Sequence, residues 1–143
     1  MSFDQVFSDY ALRVTLHAKL KGGKTLESRE KALELARVAF NKKAKNVLVL
    51  DLKGLTIIAD YFVICSGEST THVKAIAESI EEKAKRAGIR PLGIEGLTHS
   101  HWVLMDYGDV MIHIFEEGTR SFYGIEKLWM DAQSIPLGKI AHE

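Results

Sequence analysis

The chain has little of what would mark several common classes of protein. It has one cysteine, Cys65, in 143 residues, which excludes an internal disulfide framework and any Cys-rich zinc set, and fits a reducing compartment. No apolar run approaches the roughly 18 residues that a membrane span needs. The N-terminus has no apolar core of a secretory signal, and Asp4 and Asp9 are out of place in an acid-poor transit peptide, so a cytoplasmic location is expected. No internal repeat, low-complexity tract, Walker A loop or Gly-x-Gly-x-x-Gly pattern is present. Net charge is zero, without the basic excess of a sequence-reading nucleic-acid binder.

What is present is an ordinary globular composition, 46% hydrophobic and 27% charged, in a chain long enough for one sizeable core. The charge is unevenly spread. Residues 1–50 hold twice as many basic as acidic side chains, whereas residues 90–131 are mostly acidic. An acidic C-terminal third suits encounter with a basic protein surface, because complementary fields speed association and suppress wrong partners.

Three helices are expected. Phe3, Val6, Phe7, Tyr10, Ala11 and Val14 recur at helical spacing behind a Ser2/Gln5 capping pair, and the run stops at Lys-Gly-Gly-Lys. This 1–24 extension reads as a helix docked on its own domain, or as an arm for a second partner or a homodimer. A second helix runs from about Thr25–Ser28 to Asn41, with Ala32, Leu35, Ala36 and Ala39 on its apolar face. A third has Ser69 as cap, the stripe Val73, Ile76, Ala77, Ile80, Ala84 and Ala87, and Gly88 as stop. Strands are expected at 46–52, 60–67 and 90–96, followed by a hairpin over 101–115. After the hairpin, "RSFYGIEKLWMDA" reads as one or two helical turns before a frayed tail at 136–143. The order implies an α/β domain over 25–135 with a mixed, mostly five-stranded sheet flanked by helices. It has one parallel pair across the 69–87 crossover and a closing antiparallel hairpin.

The hairpin "HWVLMDYGDVMIHIF" carries the functional reading. A two-residue turn at Gly108-Asp109 sets Tyr107 against Val110 and fixes the pairing outward. One face then holds Val103, Met105, Tyr107, Val110, Ile112 and Ile114, suited to a helix layer. The other holds Trp102, Leu104, Asp106, Met111, His113 and Phe115. An Asp and a His among large apolar groups suit a protein-binding surface better than a dry core, so this face is expected to be open and to grip a partner. Covering helices, with Asp106 and His113 satisfied inside, are the alternative.

Catalysis and metal binding find less support. His101 and His113 fall on opposite faces, and no Glu or Cys completes a zinc set at motif spacing. Cys65 has no local base. "SGESTTHV" puts a Gly turn before a helix, as a nucleotidyl transferase would. Asp106 and Asp109 straddle a turn, though, and do not project together as metal-binding carboxylates do. No catalytic residue, metal or cofactor is expected.

"ADYFVICSGEST", "IEG", "WVLMDYGDVMIHIF" and "RSFYGIEKLWMDA" together resemble the Iojap family, the ribosomal silencing factors (RsfS), in order from about Lys31 to Ala132. The resemblance implies a fold like that of nucleotidyl transferases without their catalytic carboxylates. It also implies a non-enzymatic factor that docks on ribosomal protein fourteen of the large subunit. Such a factor blocks joining of the small subunit, represses translation, and in organelles assists large-subunit assembly. The family pattern falls on Asp60, Tyr61, Phe62, Gly67, Glu95, Gly96, Trp102, Asp106, Asp109, His113, Phe115, Arg120, Tyr123, Trp129 and Asp131. Of these, Phe62, Gly67, Gly96 and Trp129 are expected to serve the fold. Partner contacts are expected at Trp102, Leu104, Asp106, Met111, His113, Phe115, Asp60, Tyr61 and Arg120. Asp106 and Asp60 would pair with Lys or Arg of the partner, and His113 would orient Asp106. The chain departs from the family in its longer N-terminus and in "THSH" at 98–101. A nucleotide-dependent transferase and a large-subunit assembly factor are the competing readings.

Overall fold

The computed structural model describes residues 27–137; the expected helix over 3–20 and the 138–143 tail lie outside them. Helix α1 is Ser28–Asn41, followed by strands β1 (Lys45–Asp51) and β2 (Tyr61–Gly67), helix α2 (Thr70–Arg86), and strands β3 (Gly93–Glu95), β4 (Trp102–Asp106) and β5 (Val110–Glu116). A short helix α3 (Glu117–Tyr123), a 3-10 turn (Ile125–Trp129) and a two-residue strand β6 (Gln133–Ser134) complete the order. The sheet has six strands in the order β3-β4-β5-β2-β1-β6. Only β2 and β5 run parallel, and the other neighbouring pairs are antiparallel. The mixed α/β class is as expected, with β6 as an addition.

Sequence periodicity places both long helices on one side. Ala32, Leu35, Ala36 and Ala39 of α1 and Val73, Ile76, Ala77, Ile80 and Ala84 of α2 are buried. They pack on Val63, Cys65, Val103, Met105, Ile112 and Ile114, the alternate residues of the central strands. Small alanines on α1 let its backbone approach the sheet closely. Ser69 caps α2 by accepting the His72 N–H at 3.1 Å, which satisfies one orphan donor of its first turn. Ala87, expected in the buried stripe, is the exposed C-cap instead.

The β4–β5 hairpin has the expected register: Trp102 faces Phe115, Leu104 faces His113, and Asp106 faces Met111. Tyr107 N–H bonds to Val110 O at 2.9 Å, and Gly108 turns with φ +88°, a conformation that costs a glycine little. Gly96 also needs its hydrogen side chain. It sits at φ +86°, and a Cβ there would overlap the Trp102 carbonyl oxygen. That fits its expected role in the fold.

The far side of the sheet is not open. After β5, Glu116 caps α3 by accepting the Gly118 and Thr119 N–H groups, and Gly124 (φ +53°) reverses the chain. The 3-10 turn then runs back over the sheet, and β6 pins it by pairing Gln133 with Asp51 and Ser134 with Leu50. Ile125 is wholly buried, and Tyr123, Trp129 and Ala132 pack beside it on Phe62, Leu104, Met111 and Phe115. This corrects the expectation of a bare binding face. Met111, His113 and Phe115 are completely enclosed and Leu104 nearly so.

Candidate functional site: an aromatic surface at one end of the sheet

The cover leaves one edge of the hairpin face partly exposed. Trp102 opens β4, half-buried, with its ring stacked on Phe115 at 5.0 Å between centroids. Its indole Nε1–H donates to His113 Nδ1 at 3.1 Å. The Tyr123 ring lies 5.0 Å from that of Trp102, and Phe122 continues the row edge-on to Tyr123 at 5.1 Å. Phe122 is 82% exposed. The three rings thus grade from the core outward into solvent. Exposed single apolar residues are ordinary, but a contiguous aromatic run marks a contact surface.

Register adds a charge. Glu95 pairs directly with Leu104 across β3 and β4, and directly opposed residues share a face. Glu95 is exposed, so its carboxylate stands on the Trp102 side of the sheet. Neither Glu95 nor Phe122 was picked out as a contact from sequence. For Glu95 the signal is the β3–β4 register; for Phe122 it is the direction in which α3 leaves β5.

The other expected contact residues are placed differently. Asp106 is 1% exposed, and its Oδ1 accepts the Gly108 N–H at 2.7 Å, so it shapes the turn. His113 Nδ1 receives the Trp102 indole N–H. Tyr61 is fully buried on the helix side, under the Lys53 ammonium 5.1 Å from its ring. Asp60 is half-buried and its N–H donates to Asp109 O at 2.7 Å. Arg120 ties the cover to the sheet, donating to Asn46 O and Ser66 Oγ, both at 2.9 Å, and to Glu126 at 3.3 Å. Asp109 carries more than its turn role. Its Oδ1 lies 2.6 Å from Lys31 Nζ, which also donates to Tyr107 O at 3.2 Å.

Burial favours the neutral forms of His113 and Cys65. Burial lowers the His113 pKa to about 3 and raises that of Cys65 to about 12, where the thiol is a poor nucleophile. The sign for His113 follows from linkage. An unfolded imidazole titrates near 6.5, so from about pH 6.5 down to about 3 the unfolded chain binds a proton that the folded chain refuses. Stability is therefore full above that window and falls within it, by about 1.4 kcal/mol per pH unit. Urea unfolding at pH 7 and pH 5 is expected to show this loss, and His113→Leu to reduce it. Equal slopes for both proteins would contradict the assignment.

No group of three or more His, Cys, Asp or Glu suited to a metal is found among the described residues. Nor does any helix among them have the length and apolarity to cross a membrane.

Comparison with known proteins identifies the family. Residues 25–143 match the family described as "Ribosomal silencing factor during starvation". The chain is 45% identical over 101 residues to the ribosomal silencing factor of Bacillus subtilis, covering 70% of this chain and 86% of that protein. It is 42% identical over 111 residues to that of Halalkalibacterium halodurans, covering 77% and 95%. A crystal structure of a Bacillus halodurans protein superposes with a TM-score of 0.67 at 38% identity, over 76% of this chain and 99% of the other.

Proposed function

Because the chain belongs to the ribosomal silencing factor family, we propose that it binds the large ribosomal subunit through ribosomal protein fourteen and sterically blocks the small subunit. Translation is thereby repressed, without a catalytic step and in the cytoplasm. The observation that supports this most is the graded aromatic row of Trp102, Tyr123 and Phe122 with Glu95 on the same side. An aromatic anchor with an acidic neighbour complements a basic, partly apolar protein surface. Silencing requires only that a folded domain occupy the joining face, so the mechanism asks the chain for affinity and bulk.

The contact set shifts from the hairpin interior to its edge. Trp102 is kept, Phe122 and Tyr123 join it, and Glu95 takes the pairing role first given to Asp106. Glu95→Lys is expected to weaken large-subunit binding more at low salt than at high salt, since exposed charges are screened beyond about a Debye length. Binding titrations at two ionic strengths read this directly. A Glu95→Lys protein whose affinity matches the parent at low salt would remove Glu95 from the interface.

A transferase reading would need Asp106 and Asp109 as a metal pair. One carboxylate is engaged in its turn and the other with Lys31, which favours the binding role.

A further inference from the structure

A polar cavity of about 370 Å³ lies at the same end of the sheet as the aromatic row, lined by Asn46, Ser66, Glu117, Arg120, Ser121 and Glu126. Ser66, near the end of β2, pairs with Phe115 of β5, which in turn faces Trp102. Asn46 stands at the start of β1, where the register against β2 shifts between Lys45 and Leu48 and φ is +51°. Such a bulge frees a backbone group from the ladder, and Asn46 O accepts from Arg120 instead. Glu117, Arg120 and Ser121 belong to α3, the helix that carries Phe122 and Tyr123. Cavity and row therefore share one short helix.

The charge of the lining favours a cation. Arg120 is its basic member, and that guanidinium is engaged: Nη1 donates to Asn46 O and Ser66 Oγ, and Nε to Glu126 Oε1. Two carboxylates stand against it. Glu126 keeps an acceptor in reserve, because Oε2 is buried with no hydrogen-bond partner among the described residues. A buried acceptor without a donor costs free energy, most of all when it is charged. Glu117 faces Lys45 Nζ at 3.9 Å, both side chains being about half-exposed, and loose surface pairs of that kind contribute little. An anionic guest would meet two carboxylates. A guanidinium or ammonium group would bring Oε2 the donor it lacks. The volume is at the small end for ligand sites, room for the head of one side chain. Ser121 is exposed and directly precedes Phe122, so a protein seated on the aromatic row would carry its own side chains across this cavity.

We propose that the cavity receives one lysine or arginine side chain of the protein that docks on the aromatic row, its cationic head donating to Glu126 and Glu117. This pocket extends the partner-binding reading, on which it depends: the rings anchor the partner and the cation fixes its orientation.

Two measurements test it. N-acetyl-arginine methylamide, titrated into the full chain, is expected to shift the Asn46, Ser66 and Ser121 amide signals saturably at millimolar concentration. Glu126→Gln retains an acceptor for Arg120, and Ser121→Lys places a cation of the chain's own at an exposed position of the lining. Each should abolish the saturable shifts. In binding titrations with the large subunit, the same variants should lose at least about tenfold in affinity, as when a charge-assisted hydrogen bond is removed. The thermal midpoint of Ser121→Lys should stay with that of the parent. Shifts that do not saturate, or that saturate equally in the variants, would overturn the proposal. So would parental subunit affinity in Ser121→Lys, since the partner would then place no cation in the cavity. A parent chain that fails to bind the large subunit would overturn the functional reading itself, a result distinct from these.

Discussion

Phe122→Ala is expected to weaken binding to the large subunit by at least about 2 kcal/mol, roughly 30-fold, because exposed aromatics at an interface centre act as anchors. Its thermal midpoint should stay with that of the parent protein. The separation of the two effects is what makes this variant informative. Phe122 is 82% exposed and meets only the edge of Tyr123 among the ring contacts described, so its loss opens no cavity. Trp102→Ala is a poorer probe. It removes the donor to His113 Nδ1 and the stack on Phe115, so affinity and stability fall together. Calorimetric unfolding paired with a subunit-binding titration distinguishes them. A Phe122→Ala protein that binds like the parent would move the interface away from the aromatic row.

The largest effect on stability is expected at Lys31 and Asp109. Their side chains are each only 10% exposed and meet at 2.6 Å. Removing one partner takes a counter-charge at 2.6 Å from a nearly buried group, which costs about 3 kcal/mol or more. Lys31→Met and Asp109→Asn should each lower the thermal midpoint by about 10 °C in a domain of this size. The double variant should fall by much less than the sum, since the two groups interact directly and the second change also neutralises the one left behind. Additive losses, or a Lys31→Met protein with an unchanged midpoint, would mean that the pair does not hold α1 to the hairpin turn.

These two results would also separate what is legible in the sequence from what is not. Period-2 alternation and the Gly108 turn are local, so the hairpin register and the helix-facing side could be read directly. Helical stripes likewise placed α1 and α2, apart from Ala87 at the end of its helix. The cover was harder to read because Tyr123, Ile125, Trp129 and Ala132 follow neither a strand nor a helix period. They become one apolar strip only after Gly124 takes a left-handed conformation and β6 finds β1. Enclosure then turns the polar groups of that face inward, His113 to the Trp102 indole and Asp106 to its own turn. The Lys31–Asp109 pair joins residues 78 positions apart, and no local pattern announces it. Glu95 needed the β3–β4 register before it could be placed beside Trp102.

The central claim is occlusion of subunit joining by a chain seated on the large subunit. Its direct test is sedimentation of purified large and small subunits with increasing amounts of this protein. The account predicts that the protein travels with the large subunit and that the joined particle is depleted in proportion, with Phe122→Ala shifting the requirement to higher concentration. Association of the chain with the large subunit while joined particles form undiminished would contradict it.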